Sequence, residues 1–295
     1  MQLLVYVLVY PIIWVISILP FRVLYFFSDF LYFTFYYVVG YRKKVVIENL
    51  NLAFPEKSKE EKDKITKQFY QYFCDTIVES LKSLTISDEQ IKKRMSFTNL
   101  EVVKEIEKNK PIAYICAHYG NWEWIFVLQH YFENRGYAVY KPLRNKYFDR
   151  LVKKIRAKHK SYLISTREAY ITLLRAKKQD NLASCGFVSD QSPKISNAQY
   201  WREFMGVKVP VIVGTEVLAK KLDMAVVFFV VKRVKRGYYE TTFQPIAVNP
   251  QEFENYKITD RFIELVENEI KKAPQYYLWT HKRWKHRDKV PQEFK

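Results

Sequence analysis

The sequence predicts an α/β sandwich, helices packed against a central sheet, carried behind an apolar N-terminal anchor. From residue 112 onward, short apolar runs of strand length alternate with stretches of helical spacing. Residues 3–39 hold two long apolar runs that are almost free of charge. Beyond Lys44 there is no repeat, low-complexity tract or Gly/Ser linker, so one large domain is expected to follow the anchor.

Composition sets the class. A chain of 295 residues is long enough to bury a sizeable core. Aromatic residues make up 17%, including 23 Tyr and 21 Phe, a load that an ordinary soluble surface does not hide, so part of it is expected to face lipid. Lys and Arg number 49 against 31 Asp and Glu, and the net charge of +18 favours polyanions or anionic membrane. Cys74, Cys116 and Cys185 are odd in number and form no C-x-x-C pair, which argues against a disulfide framework or a four-Cys zinc site and suits a reducing compartment.

The first run, Leu3 to Leu19, reads as a short membrane span; a second, Val23 to Val39, follows Pro20-Phe21-Arg22 and carries Ser28 and Asp29, which suits an interfacial or re-entrant helix. No basic n-region precedes Leu3 and no small-residue cleavage site follows, so the segment is expected to be retained. Arg42, Lys43 and Lys44 close it. By the positive-inside rule they put the rest of the chain in the cytoplasm, dividing it into an anchor (1–44) and a domain (45–295). Asn49 to Pro55 reads as a connector. In the charged stretch from Ser58 to Leu84, Ile65, Phe69, Phe73, Ile77 and Leu81 recur about once per turn, as the packing face of a helix. Strands are expected at 112–117, 138–140, 182–188 and 225–231, and helices at 122–133, 147–158, 168–177, 211–221 and 262–272.

The chemistry concentrates where the strand at 112–117 ends on His118-Tyr119-Gly120-Asn121-Trp122-Glu123. On one continuous helix, His118 and Glu123 would point roughly 140° apart. A strand-to-helix corner removes that objection. Gly120 permits the turn, Asn121 caps the helix, and Glu123 falls in its first turn, where the dipole favours a carboxylate. Such a carboxylate can orient His118 as the general base that activates a hydroxyl for attack on an acyl carbonyl. The pattern by itself more often marks a plain hydrogen-bonding histidine at a strand end.

Other chemistries lack their motifs. None of the 7 glycines forms G-x-G-x-x-G or a P-loop, there is no G-x-S-x-G elbow, and no H-E-x-x-H accompanies His281 and His286, so neither a nucleotide cofactor nor a metal is expected. The basic cluster from Lys141 to Lys160 has no nucleic-acid-binding signature beside it, so nucleic acid is not an expected partner. Next to an apolar anchor, that cluster suits lipid phosphates, anionic headgroups or an acidic carrier protein.

Five blocks in order carry a resemblance over nearly the whole chain. Ile47 to Pro55 resembles an N-L-x-x-x-F-P stretch, and His118 to Glu123 an H-x4-D/E block. Val139 to Asn145 is similar to Y-R-P-x-x-N. Asp190-Gln191, Phe204-Met205-Gly206 and Thr215 to Ala219 follow the order D-Q, F-x-G, T, L-A, and Trp279 to Lys285 resembles W-x-H-x-R-W/F-K. The chain resembles the lysophospholipid acyltransferase superfamily, in its branch of Kdo-dependent lipid A late acyltransferases of Gram-negative bacteria.

The resemblance implies a mixed central sheet flanked by helices, an inner-membrane location, and no cofactor. It implies His118 as general base with Glu123 as its partner, an acyl thioester of acyl carrier protein or coenzyme A as donor, and an anionic lipid hydroxyl of a lipid A precursor as acceptor. Lys141, Arg144, Arg167, Asp190 and Gln191 become candidate substrate-binding residues. Lys141 stands where the family usually has arginine, and lysine offers charge without a bidentate fork. A lysophospholipid or aminolipid acceptor is the neighbouring alternative. A non-catalytic membrane-surface binding protein, with His118 and Glu123 structural, is the reading from a different class.

Overall fold

The computed structural model describes residues 1–179 and 182–294. The first apolar run forms helix α1, Gln2–Ile18, whose side chains are exposed except for Ser17 and a few half-buried neighbours. Pro20 lacks an N–H and ends the helix, and the second run forms α2, Phe21–Phe33, prolonged by a π turn over Thr34–Val38. Among the described residues no single helix is long and apolar enough to cross a membrane. The bent pair Phe21–Val38 and Lys43–Ala53, at 83°, meets that length and composition only together.

Ser28 and Asp29 of α2 both engage the rest of the protein. Ser28 donates to Asp75 at 2.8 Å, and Arg236 bridges Asp75 and Asp29. These contacts tie α2 to α4, Lys59–Lys82, and to the hairpin carrying Arg236. Helix α4 is well specified: Ser58 and Glu61 form a reciprocal capping box, and its buried stripe includes Ile65, Phe69, Tyr72 and Val78. The expected connector after the anchor is mostly a helix, α3, Lys43–Ala53, whose buried Val46, Leu50 and Ala53 recur at helical spacing.

A short helix α5, Asp88–Arg94, leads to strand β1, Met95–Thr98, then helix α6, Leu100–Glu107, and strand β2, Ile112–Cys116. Next come β3, Gly136–Tyr140; α7, Lys146–Ala157; β4, Ser161–Ser165; α8, Ala169–Lys178; and β5, Ser184–Val188. A small antiparallel ribbon of β6, Trp201–Phe204, and β7, Val207–Pro210, precedes α9, Gly214–Leu222. The hairpin β8, Ala225–Lys235, and β9, Tyr238–Ala247, and the helix α10, Lys257–Lys272, complete the domain. Strands β1 and β9 escape a search for apolar runs because polar residues interrupt them; over Tyr238–Phe243 of β9 burial alternates residue by residue, as for a strand with one covered face.

The seven-stranded sheet runs β1-β9-β8-β2-β5-β3-β4 and is parallel except for the β8–β9 pair. It is the expected mixed sheet flanked by helices. One face carries Ala113, Ile115, Cys185 and Phe228 against buried residues of α8, α9 and α10, and the other carries Tyr114, Cys116, Val227 and Phe229 against Ile91, Val103, Trp124 and Val127. The central strands β2 and β5 are therefore covered on both sides, which explains their continuous apolar character. Residues 122–131, expected as an α-helix, form a long 3-10 segment instead. Its seven apolar residues among ten leave it no polar face for an ordinary amphipathic helix.

Candidate active site

The register of two parallel strands assembles the site. Strands β2 and β5 pair with Cys116 opposite Val188. Two residues past each strand end, His118 and Asp190 therefore lie side by side, at the carboxyl edge where α/β sheets place ligands. Asp190 Oδ1 is 2.6 Å from His118 Nδ1. Asp190 is 1% exposed, which makes its carboxylate costly unless paired. Burial alone disfavours charge on both groups, but their attraction outweighs it: Asp190 is held below its usual range and His118 above, with Glu123 adding to the His118 shift. With Nδ1–H donating to Asp190, Nε2 keeps its lone pair, and the amide of Gln191, 3.2 Å away, donates to it.

Glu123 is held elsewhere. Arg156 of α7 grips both its carboxylate oxygens from one nitrogen, at 2.7 and 2.9 Å. The hydrogen-bonded carboxylate of His118 is thus Asp190, and Glu123 acts on it through space. Sequence spacing favoured Glu123 because it is near in the chain; the sheet register brings in Asp190 from 72 residues away.

The corner is built as its sequence suggests up to Asn121. Gly120 has φ of +62°, and a methyl there would lie 2.0 Å from the Val231 carbonyl oxygen, so glycine is required twice over. Asn121 caps the following segment by accepting from the Trp124 N–H, and its amide donates to Glu79 at 2.7 Å. The C-terminal segment locks the corner from behind: Leu278 N–H donates to the His118 carbonyl and Gly120 N–H to that of Tyr276.

A cavity of about 490 Å³ opens at His118. It runs between the β2–β5–β3 face of the sheet and a roof formed by residues 122–132, from His118, Gln191 and Lys141 at one end to Gly136, Ser161 and Ser184 at the other. Those last residues begin β3, β4 and β5, so the cavity follows the strands for their whole length. Small residues on the floor, Gly186 and Ala138, leave the room, and Tyr114, Leu128, Phe132 and Phe229 make the walls apolar. Its deep end is polar, with Ser184 and with Glu107, whose carboxyl is pushed up to about 7 by burial. A second cavity of about 330 Å³ lies on the other side of Glu123 and Arg156, bounded by Ile13 of α1 and Phe148 and Leu151 of α7.

The structure gathers His118, Glu123, Lys141 and Gln191 around the first cavity, with Asp190 directly behind His118. Arg144 and Arg167 do not line it. Both are exposed, and Arg144 meets the N-terminus only through its backbone carbonyl, which accepts from Gln2 at 3.2 Å. Arg156 and Trp122 are the neighbours that sequence reasoning missed; Arg156 was one member of a basic run, and nothing in its spacing marked it as the partner of Glu123. Trp122 packs its ring edge-on to His118 at 5.1 Å between centroids.

A half-buried histidine paired with a buried carboxylate thus stands at the mouth of a long, largely apolar channel. The chain belongs to the bacterial lipid A biosynthesis acyltransferase family, whose model matches residues 1–286, and it is an acyltransferase. It is 24% identical over 257 residues to a lipid A biosynthesis lauroyltransferase of Escherichia coli strain K12, covering 86% of this chain and 82% of that one. Similarity to a lipid A biosynthesis palmitoleoyltransferase of the same organism is 22% over 252 residues, covering 83% and 79%. A lipid A biosynthesis acyltransferase of Haemophilus influenzae is 25% identical over 262 residues, covering 86% and 81%. Among solved structures, the 1-acyl-sn-glycerophosphate acyltransferase PlsC from Thermotoga maritima superposes with a TM-score of 0.38 at 10% identity, covering 86% of this chain and 95% of that one. Family membership decides for the enzyme over the membrane-surface binding protein.

Proposed function

We propose that this enzyme moves a fatty acyl chain from a thioester, carried by acyl carrier protein or coenzyme A, to a hydroxyl of a lipid A precursor at the cytoplasmic face of the bacterial inner membrane. The observation that carries the reading is His118, with its Nε2 lone pair at the mouth of the channel and Asp190 behind it. The acceptor hydroxyl displaces the Gln191 amide from Nε2 and gives up its proton there as its oxygen attacks the thioester carbonyl. Asp190 holds the imidazole in the required tautomer and stabilises the imidazolium, which then returns a proton to the leaving thiolate. Glu123, fixed by Arg156, adds negative potential beside the imidazolium. Lys141 at the rim supplies charge for an anionic substrate group.

The channel takes the donor chain. From the level of Ser184 to that of Asp190 is six residues, about 20 Å at 3.3 Å per residue. An extended acyl chain advances about 1.25 Å per carbon, from bonds of about 1.5 Å at the tetrahedral angle, so the channel seats chains of roughly 12–16 carbons. The second cavity, reached from the α1 side, suits hydrocarbon of the acceptor.

Membrane attachment rests on the exposed Leu4, Val7, Leu8, Ile12 and Phe26 of α1 and α2. Helix α1 packs Tyr6 on Tyr147 and Phe148 of the basic helix α7, so an apolar surface adjoins a cationic one, as at an anionic bilayer.

The test is acyl transfer by membranes containing equal folded amounts of wild type or His118→Ala, with labelled acyl carrier protein and acyl-CoA donors and a panel of lipid A precursors, lysophospholipids and aminolipids. Transfer to the lipid A precursor, lost by orders of magnitude in the variant, is the expected result. Transfer undiminished by the substitution would overturn the role of His118, and transfer confined to lysophospholipids or aminolipids would overturn the acceptor.

A further inference from the structure

Asp88, the first residue of α5, His130 near the end of the channel roof, and His159 just beyond α7 meet on the side of the roof away from His118. Asp88 Oδ1 lies 3.1 Å from His159 Nδ1 and 3.5 Å from His130 Nε2, and the two nitrogens are 3.3 Å apart. The three atoms make a nearly equilateral triangle.

A proton satisfies only one side of this triangle. The imidazoles are within hydrogen-bond distance of each other, yet Asp88 Oδ1, shielded from solvent, makes no well-aligned hydrogen bond with either of them. If both ring nitrogens carried inward hydrogens, those hydrogens would face each other; if one does, the other nitrogen turns its lone pair towards the carboxylate. A cation at the centre takes all three lone pairs at once.

The spacing also accommodates a tetrahedral ion of the zinc radius. Ligand atoms about 2.05 Å from a tetrahedral ion stand about 3.3 Å from one another, whereas adjacent ligands of an octahedral ion at that radius stand about 2.9 Å apart. The separations of 3.1, 3.3 and 3.5 Å fit the tetrahedron. Two imidazoles and one carboxylate in that geometry are a zinc donor set.

We propose that Asp88, His130 and His159 form a three-ligand tetrahedral site for a divalent ion of the zinc class, its fourth position turned to the solvent-facing side of Asp88. His159 is 3% exposed while the Asp88 side chain is 46% exposed, so the site is anchored inside and open outside. The ion would be a clamp and not a reaction centre, since none of the three ligands lines the His118 cavity and only His159 borders the second one. It would tie α5 and the end of α7 to the 122–131 segment, a long 3-10 run of a kind that rarely persists without outside support.

The test uses the untagged full-length chain in detergent, stripped with a chelator and dialysed. Cobalt(II) added to it is expected to give the intense visible absorption of tetrahedral cobalt, saturating at one equivalent and abolished by zinc. Zinc at about 100 times its dissociation constant is expected to raise Tm by roughly 5 °C. His130→Ala and the half-exposed Asp88→Asn should each lose the saturation and the Tm shift; these two replace His159→Ala if that chain does not fold. A wild-type chain with no cobalt band and no Tm shift would overturn the proposal, as would a weak octahedral spectrum. A band that persists unchanged in both variants would place the metal on other residues and overturn it equally.

Discussion

Replacing Asp190 by Asn tests which carboxylate serves His118. The substitution keeps the shape of a side chain that is almost wholly buried and removes its charge 2.6 Å from Nδ1. This has two effects. The amide can turn its NH2 towards Nδ1, which moves the imidazole proton to Nε2 and blocks the base; loss of general-base action is expected to cost about 10²–10⁴-fold in kcat/KM. In the wild type the His118 pKa is raised, because Asp190 outweighs the burial that would lower it. The base is active only when neutral, so wild-type activity rises with pH through that raised value. Without the carboxylate burial prevails, and the acidic limb should move down by about 1–3 pH units. The assay is the pH profile of kcat/KM for acyl transfer in detergent-solubilised protein, beside Glu123→Gln, which should move the limb in the same direction by less. An Asp190→Asn enzyme within threefold of wild type with its limb unmoved, or a larger shift from Glu123→Gln, would refute the reasoning and return Glu123 to the partner's place.

Gly186→Leu should plug the channel: the residue lies on its floor four residues, about 13 Å, from the level of Asp190, so the preferred donor should shorten to about 10 carbons, read from a competition assay with mixed chain lengths. Unchanged preference would remove the chain from this cavity. Gly120→Ala forces a methyl to 2.0 Å from the Val231 carbonyl at a positive φ and should destabilise the fold by about 3 kcal/mol or more, whereas Gly186→Ala, whose methyl meets nothing closer than 3.9 Å, should be tolerated. Equal denaturation midpoints for the two would contradict the account of the corner. Glu79 is buried, hydrogen-bonded by Tyr25, Tyr239 and Asn121, and pushed up to about 7 by desolvation. The native state therefore holds a proton that the unfolded state releases near pH 4.3, and stability is lost as pH rises from there to about 7. Glu79→Gln lacks that loss, so its stability relative to wild type should improve by about 3 kcal/mol between pH 4 and pH 8. Parallel stability curves would show that Glu79 is already ionised in the fold.

Local order was legible in the sequence wherever one short stretch contains its own cause. The apolar strand leading to His118, the glycine that turns the chain and the asparagine that caps the next segment lie close together along the chain, and the structure keeps all three. The helix of α4 was legible from its apolar spacing. Strands interrupted by polar residues were not, because their alternation is meaningful only once one face is known to be covered. The stretch 122–133 reads as a helix from its composition, which does not distinguish 3.6 from 3.0 residues per turn when apolar side chains crowd most of the surface.

The sequence by itself determined the alternating α/β order, the apolar and basic surfaces, and the presence of His118, Glu123, Asp190 and Gln191 just beyond the ends of two apolar strands. Only the tertiary structure decided who pairs with whom. The Cys116–Val188 register carries Asp190 to His118, and the packing of α7 on the roof gives Glu123 to Arg156. The same folding brings Asp88, His130 and His159 together across spacings that form no metal motif. Partners of this kind are set by distances of a few ångströms between elements, and separation along the chain does not constrain those distances until the sheet has closed.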